Sequence, residues 1–246
     1  HATYCRESLT FHNQQGVWGP LVLSPGGVKV CKAARDQQLR GQPVRVLVLK
    51  PRRAYISTTI ASWIVKVLMH KPEKAMVLAH LQDTADEMYR YYLDLSERAQ
   101  PFRGIGCATV VRKLDGKLIE YSNGSIVEFG TANTLEGGRG QGPRHLHLTE
   151  YAFYAHAGQL MRNLMQGVPE DADTSVWVDT TANGMGGQFY QDWVRNESGN
   201  KWAKVFFGWH EHPVYATPLQ IAAADFQASL NAEEKDMMAR YRLTFE

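Results

Sequence analysis

Val44 to Leu49 ("VRVLVL") is almost continuously apolar and β-branched, the pattern of a strand covered on both faces. Ser57 to Met69 follows with Ile60, Ile64, Val67 and Leu68 on one side, a spacing that predicts a helix. Ala75 to His80 is a second short buried strand, and Asp83 to Arg98 reads as an amphipathic helix capped by Asp83 or Thr84. Strand, helix, strand, helix implies a parallel sheet with right-handed crossovers. From Ala108 to Thr131 the pattern changes. Asp-Gly and Asn-Gly turns separate alternating apolar segments there, predicting an antiparallel β-meander attached to the parallel sheet. "TLEGGRGQGPRH" is too rich in glycine for a regular element and reads as a loop.

Beyond that loop, "HLHLTEYAFY" predicts a strand ending at Thr149-Glu150, and Gly158 to Gly167 a helix. "SVWVDTTANG" predicts another buried strand with a turn, "GQFYQDWVRNE" a helix, and "KVFFGWHEHPVY" a last strand running into a loop. A helix is expected at Ala232 to Tyr241. The expected organisation is an N-terminal segment, 1–43, packed on a core of 44–216, with linker or lid helices over 217–246.

Composition narrows this only a little. With 246 residues, 44% of them hydrophobic, the chain suits one large α/β domain with small appendages. A formal net charge of +2 is too small to argue for nucleic acid on bulk charge, so any such surface is local. Arg112, Lys113 and Lys117 on the meander read either as a DNA-facing cluster or as a solvated edge. Cys5, Cys31 and Cys107 are odd in number and lack metal-ligand spacing, which fits free thiols of a reducing compartment. No apolar run approaches the roughly 20 residues that span a bilayer, so no membrane partner is expected.

The chemistry gathers around "LKPRRAYISTT", a basic turn between the first strand and its helix. That is the layout of a phosphate-binding loop, G-x-x-x-x-G-K-[ST]. Aligned on Ser57, however, the template puts Lys50 and Tyr55 at the glycines and Ile56 at the lysine. The turn reads either as a phosphate site built from other parts or as a basic turn followed by a Ser/Thr helix cap. Lys50, Arg52 and Arg53 supply cationic charge, and Ser57 and Thr58 supply hydroxyls where a helix N-terminus favours an anion. "RHLHLTE" places Glu150 at a strand end, where a carboxylate could orient or deprotonate a water, or could simply be solvated. Thr149 stands where an aspartate would help to hold Mg²⁺. Thr180, Thr181 and Asn183, ending a third strand, are short polar groups suited to sensing a γ-phosphate. His145 and His147, and the run His210-Glu211-His212, have the alternate spacing of metal ligands, but no Cys or Asp cluster accompanies them.

Six segments in order carry a family resemblance: "LKPRRAYIST", "SNGSIVEFGTA", "GGRGQG", "LHLTEYAFY", "TTANGMGGQFYQDW" and "FFGWHEHPVY". Together they resemble the ATPase half of the large terminase subunit of tailed bacteriophages, the motor that packs DNA into the procapsid. The resemblance implies an α/β fold of the P-loop NTPase-like (ASCE/RecA) type, with a mainly parallel central sheet, flanking helices and the meander as an extension. It implies ATP and Mg²⁺ as cofactors, with Lys50, Arg52 and Arg53 on the phosphates and Ser57 and Thr58 serving phosphate and metal. Glu150 becomes the catalytic carboxylate, Thr149 a metal-side group, and Thr180, Thr181 and Asn183 the coupling segment. Arg139, in the glycine-rich loop, becomes an arginine finger offered to a neighbouring subunit.

The implied partners are double-stranded DNA, a homo-oligomeric ring (a pentamer) on the portal, and the small terminase subunit, all in the host cytoplasm. A nuclease half would follow this region in the family, so no nuclease activity is expected here. The chain departs from the family at Tyr55, where the loop carries glycine, and at Gly27, where an adenine-contacting glutamine is expected. Those departures motivate an alternative, a terminase-like module that binds nucleotide or DNA with little turnover. A histidine-based metal-dependent hydrolase is the third reading.

Overall fold

Strands buried on both faces need helices on both sides, and the sequence between the strands supplies them. The computed structural model describes residues 1–12, 16–114, 116–132, 142–195 and 201–244. The chain opens with α1 (Ala2–Ser8), the short pair β1 (Thr10–His12) and β2 (Trp18–Pro20), and α2 (Pro25–Leu39). The core then alternates β3 (Val44–Leu49), α3 (Ile56–His70), β4 (Lys74–Ala79) and α4 (Gln82–Glu97). Next come β5 (Val110–Leu114), β6 (Leu118–Tyr121), β7 (Ile126–Thr131) and β8 (His145–Thr149). They are followed by α5 (Ala157–Gly167), β9 (Ser175–Thr180), α6 (Gly187–Arg195) and β10 (Ala203–Phe206). Finally come α7 (Ala223–Ser229) and α8 (Ala232–Tyr241).

The main sheet runs β10-β3-β9-β8-β4-β7-β6-β5 among the described residues. Every pairing from β10 through β7 is parallel, and only β7-β6 and β6-β5 are antiparallel. The meander is attached to the parallel sheet as expected: β7 is at once its last strand and a parallel neighbour of β4. This is the α/β arrangement anticipated from the sequence, with β9 inserted between β3 and β8.

Successive residues feed opposite cores, as the two-residue strand period requires. Val44, Val46, Val48, Ala75, Val77 and Trp177 pack with α2, α3 and α4 on one face. Leu47, Met76, Leu78, Val176 and Val178 pack on the other with Leu160, Leu164 and Phe189 of α5 and α6. The charge inside "VRVLVL" is absorbed at the far end of the sheet from the strand C-termini. There the buried Arg45 guanidinium donates to the carbonyls of Val44 (2.9 Å) and Pro169 (3.2 Å) and to Thr174 Oγ1 (3.2 Å).

Three helices escaped the sequence pattern, α1, α2 and α7. Helix α4 also starts differently: its cap is Leu81, with no side-chain bond, and Asp83 and Thr84 fall inside the first turn. The chain divides into two compact units, His1–Phe207 and Gly208–Glu246. The first contains α1, β1, β2 and α2 together with the sheet. In the second, α8 has a reciprocal cap between Asn231 and Glu234, and the ring of His210 lies 4.5 Å from that of Tyr241. Among the described residues no helix is long and apolar enough to cross a membrane.

Helix α2 is seated through its first turn. Ser24 caps it, accepting from Gly27 N–H (3.2 Å) and donating to the Ala54 carbonyl (2.9 Å), while Pro25 occupies the first helical position. A Cβ on Gly26 would stand 2.5 Å from the ring of Phe207, which is fully buried. Gly26→Ala is therefore expected to lower the unfolding free energy by about 1–3 kcal/mol through overpacking. Urea denaturation checks this, and an unchanged midpoint would show that α2 is not tightly docked.

Candidate active site

The C-terminal ends of β3, β9 and β8 lie side by side and level. Leu49 pairs with Thr180, and Asp179 pairs with both Val48 and Thr149. The loop leaving β3 climbs directly into α3, so the start of that helix faces all three strand ends. By helix geometry the N–H groups of Ile56, Ser57 and Thr58 have no partner within the helix, and together with the macrodipole they form a site for an anion.

Three residues around this point hold left-handed backbone: Arg53 (φ 54°), Tyr55 (φ 55°) and Glu150 (φ 57°). For a residue with a Cβ that conformation costs roughly 1–2 kcal/mol. Tyr55 thus takes the conformation that the phosphate-loop template reserves for glycine, and caps α3 from it. Backbone held in such regions clusters at functional sites because the surrounding packing over-determines it.

A buried ion cluster joins the three strands. Lys50 Nζ lies 3.1 Å from Asp179 Oδ2 and 3.4 Å from Glu150 Oε1. Asp179 has no exposed surface, and the Lys50 side chain is only 10% exposed. Ser57 Oγ donates to Asp179 Oδ2 (2.8 Å), and Thr149 Oγ1 donates to the same oxygen at 3.4 Å. The other oxygen of Asp179 is 2.8 Å from His147 Nε2, and His147 Nδ1 is 3.1 Å from Tyr92 Oη. With a carboxylate beside it, Nε2 carries the proton and Nδ1 accepts from the tyrosine. Behind Tyr92, Ser96 Oγ donates to the Tyr92 carbonyl (2.6 Å) and meets Tyr121 Oη of β6 (2.7 Å).

Burial alone would push the Asp179 carboxyl up. The Lys50 ammonium, then His147 and the Ser57 hydroxyl, outweigh it and hold the group well below the usual carboxylate range. Burial likewise opposes the charge on Lys50, but Asp179 and then Glu150 raise its pKa overall. Both partners are therefore charged at neutral pH.

The structure brings Lys50, Arg52, Arg53, Ser57, Thr58, Thr149 and Glu150 to one cleft of about 880 Å³. Arg52 and Arg53 are exposed at its margin. Its far wall is α4, through Thr84, Glu87, Met88 and Tyr91. The three expected coupling residues sit behind it. Thr181 Oγ1 donates to Glu150 Oε2 (3.3 Å), Ala152 N–H donates to Thr180 Oγ1 (3.2 Å), and Asn183 Nδ2 donates to the Ala152 carbonyl (3.0 Å). The Glu150 carboxylate is thus held on one oxygen by Lys50 and on the other by Thr181. Arg139 lies outside the described residues.

Sequence reasoning missed Asp179. The signal was present, since an acidic residue ending a buried apolar strand had drawn attention to Glu150. Gly27 also finds a physical explanation: a Cβ there would stand 2.6 Å from Thr59 Oγ1, so the α2–α3 contact leaves no room for a longer side chain.

The paired histidines have other partners. His147 serves Asp179, and His145 Nδ1 is 2.9 Å from Ser175 Oγ. In the second unit, Glu211 accepts from Gly208 N–H (2.9 Å) and His212 Nδ1 accepts from Val214 N–H (3.0 Å). Among the described residues no group of three or more His, Cys, Asp or Glu side chains is arranged to hold a metal. The hydroxyls and carboxylates around Ser57 nevertheless suit Mg²⁺, which takes one or two protein oxygens and completes its shell with phosphate and water.

No protein-family model matches this sequence, and no curated protein sequence does. Solved structures do. The large terminase of bacteriophage HK97 superposes with a TM-score of 0.64 at 11% identity, covering 98% of this chain and 52% of that chain. The large terminase of a thermophilic bacteriophage gives a TM-score of 0.58 at 11% identity, covering 89% of this chain and 50% of that one. The chain has the large-terminase fold. The same thermophilic phage's terminase in complex with ATP-γ-S matches as well, with a TM-score of 0.56 at 11% identity over 89% of this chain and 49% of that one. The chain spans about half the length of these terminases. The mainly parallel central sheet with flanking helices expected from the sequence is therefore the observed one.

His145, the first residue of β8, yields a test of the sheet interior at the end away from the cleft. Burial, aided by the charge of Arg144, pushes its pKa from 6.5 down to about 4. Below pH 6.5 the unfolded chain takes up a proton that the folded chain refuses. Its contribution is complete above the unfolded pKa and is lost toward pH 4, at up to about 1.4 kcal/mol per pH unit. His145→Gln should accordingly flatten the fall in urea midpoint between pH 7 and pH 5. An equally steep fall in the variant would assign that pH dependence to another group.

Proposed function

We propose that this chain is the ATPase domain of a viral DNA-packaging motor, hydrolysing ATP with Mg²⁺ to drive double-stranded DNA into a procapsid. The observation that carries this reading is the convergence of Lys50, Ser57, Thr149 and Glu150 at three adjacent strand ends opposite the N-terminus of α3. The triphosphate lies against the first turn of α3, where backbone N–H groups and Lys50 meet its charge. Arg52 and Arg53 supply further positive charge at the margin, and Thr58 a second hydroxyl. Mg²⁺, when bound with the nucleotide, supplies charge neutralisation on the phosphate oxygens, with Ser57 and Thr149 on its side of the cleft. Lys50 exchanges its Glu150 contact for phosphate while keeping Asp179. That exchange frees Glu150 to orient and deprotonate the attacking water.

Thr181 then senses the change at Glu150, and Thr180 and Asn183 pass it to the short helix Tyr151–Phe153 and so to a DNA-gripping surface. Translocation by phosphate contacts is indifferent to sequence. Arg139 acts in trans within a homo-oligomeric ring, a pentamer on the portal, where such a finger is commonly worth about 10³–10⁵ in rate. The small terminase subunit is a further partner, and the assembly works in the host cytoplasm. The complex of the thermophilic phage's terminase with ATP-γ-S supports the choice of nucleotide.

Glu150→Gln tests the assignment. General-base removal is expected to cut steady-state phosphate release by about 10²–10⁴-fold while ATP-γ-S affinity, read by calorimetry, changes little. Retained turnover in the variant would overturn the role of Glu150. Binding without turnover in the unsubstituted ring would instead support the nucleotide-binding module.

A further inference from the structure

The end of β8 carries a neutral threonine at position 149, so apart from Glu150, which follows it, β8 brings no carboxylate toward the phosphate loop. The neighbouring strand does. Asp179 of β9 pairs directly with Thr149, and paired residues on parallel strands project from the same face of a sheet, about 4.8 Å apart. Its Oδ2 accepts from Ser57 Oγ (2.8 Å) and from Lys50 Nζ (3.1 Å), the two phosphate-loop groups whose placement matters most. Its Oδ1 is fixed by His147 (2.8 Å), and His147 is fixed by Tyr92 (3.1 Å). The carboxylate therefore has a set orientation, with one oxygen committed to the sheet interior and the other aimed at the loop. A fully buried carboxylate is kept only where paired and hydrogen-bonded, and these contacts meet that condition.

We propose that Asp179, at the end of β9, is the positioning carboxylate of the nucleotide site. By taking the proton of the Ser57 hydroxyl into a hydrogen bond, it turns the lone pairs of that oxygen toward the cleft and makes it a better donor to a divalent cation. Asp179 has no exposed surface, so it acts through Ser57 and Lys50 rather than on the cation directly. Partners of metal ligands fix ligand orientation in this way and raise ligand basicity. The inference rests on the nucleotide reading of the cleft.

Calorimetric titration of ATP-γ-S at a series of Mg²⁺ concentrations reads the effect without requiring turnover. The unsubstituted protein binds more tightly as Mg²⁺ rises. In Asp179→Asn the Mg²⁺ concentration giving half of that gain rises by about 10–100-fold, the usual loss when the partner of a metal ligand is removed. The exchange variant T149D/D179N, with the carboxylate moved to β8, restores the original midpoint. If Asp179→Asn does not fold, the exchange variant alone carries the test, and a Mg²⁺-independent affinity in it overturns the proposal. An Asp179→Asn protein that melts at lower temperature but keeps the original midpoint also overturns it, because the role would then be structural only. Failure of the unsubstituted protein to bind ATP-γ-S would overturn the nucleotide reading itself, an outcome distinct from either of these.

Discussion

A carboxylate with no exposed surface sits near the middle of the parallel sheet, and the organisation of the cleft follows from keeping it charged. Left alone in the interior, Asp179 would cost several kcal/mol in lost hydration. Lys50, Ser57 and His147 offset that cost, and each is held in place by doing so. Lys50 lies flat against the strand ends instead of reaching into solvent. Ser57 directs its hydroxyl inward from the first turn of α3. Glu150, turned back by its left-handed backbone, completes the cluster from β8.

The same economy of space governs the phosphate loop. Its backbone follows the course a glycine would allow, although Tyr55 and Arg53 are the residues that follow it. The surrounding anchors explain how. Ser24 ties the cap of α2 to the Ala54 carbonyl, and the glycines of α2 let that helix approach Phe207 and Thr59 closely. With Ala54 buried and the start of α3 packed on the sheet, the loop is held at both ends. The conformational preference of one tyrosine is then too weak to redirect it.

Much of the fold was legible because buried parallel strands leave unmistakable apolar runs. β3, β4, β8 and β9 could each be placed within a residue or so from sequence, and Glu150 was visible as an acid at a strand end. Other elements hid for identifiable reasons. Helix α2 begins "PGG" and carries few apolar residues in register, so only Ser24-Pro25 marked its start. The cap of α4 was misplaced because Asp83 and Thr84 are good capping residues, whereas packing set the boundary at Leu81. Asp179 was overlooked because its significance is topological. Nothing in the linear order announces that β9 inserts between β3 and β8, and that insertion is what puts this side chain beside Lys50 and Thr149.

Level strand ends also carry an evolutionary implication. Where several parallel strands finish at one height with matched register, a functional group can change its address by one strand and still point at the same spot. The backbone then constrains where a reactive atom ends up more tightly than it constrains which segment of the gene encodes it. At 11% identity to the HK97 terminase, the scaffold that receives such substituents is still recognisable.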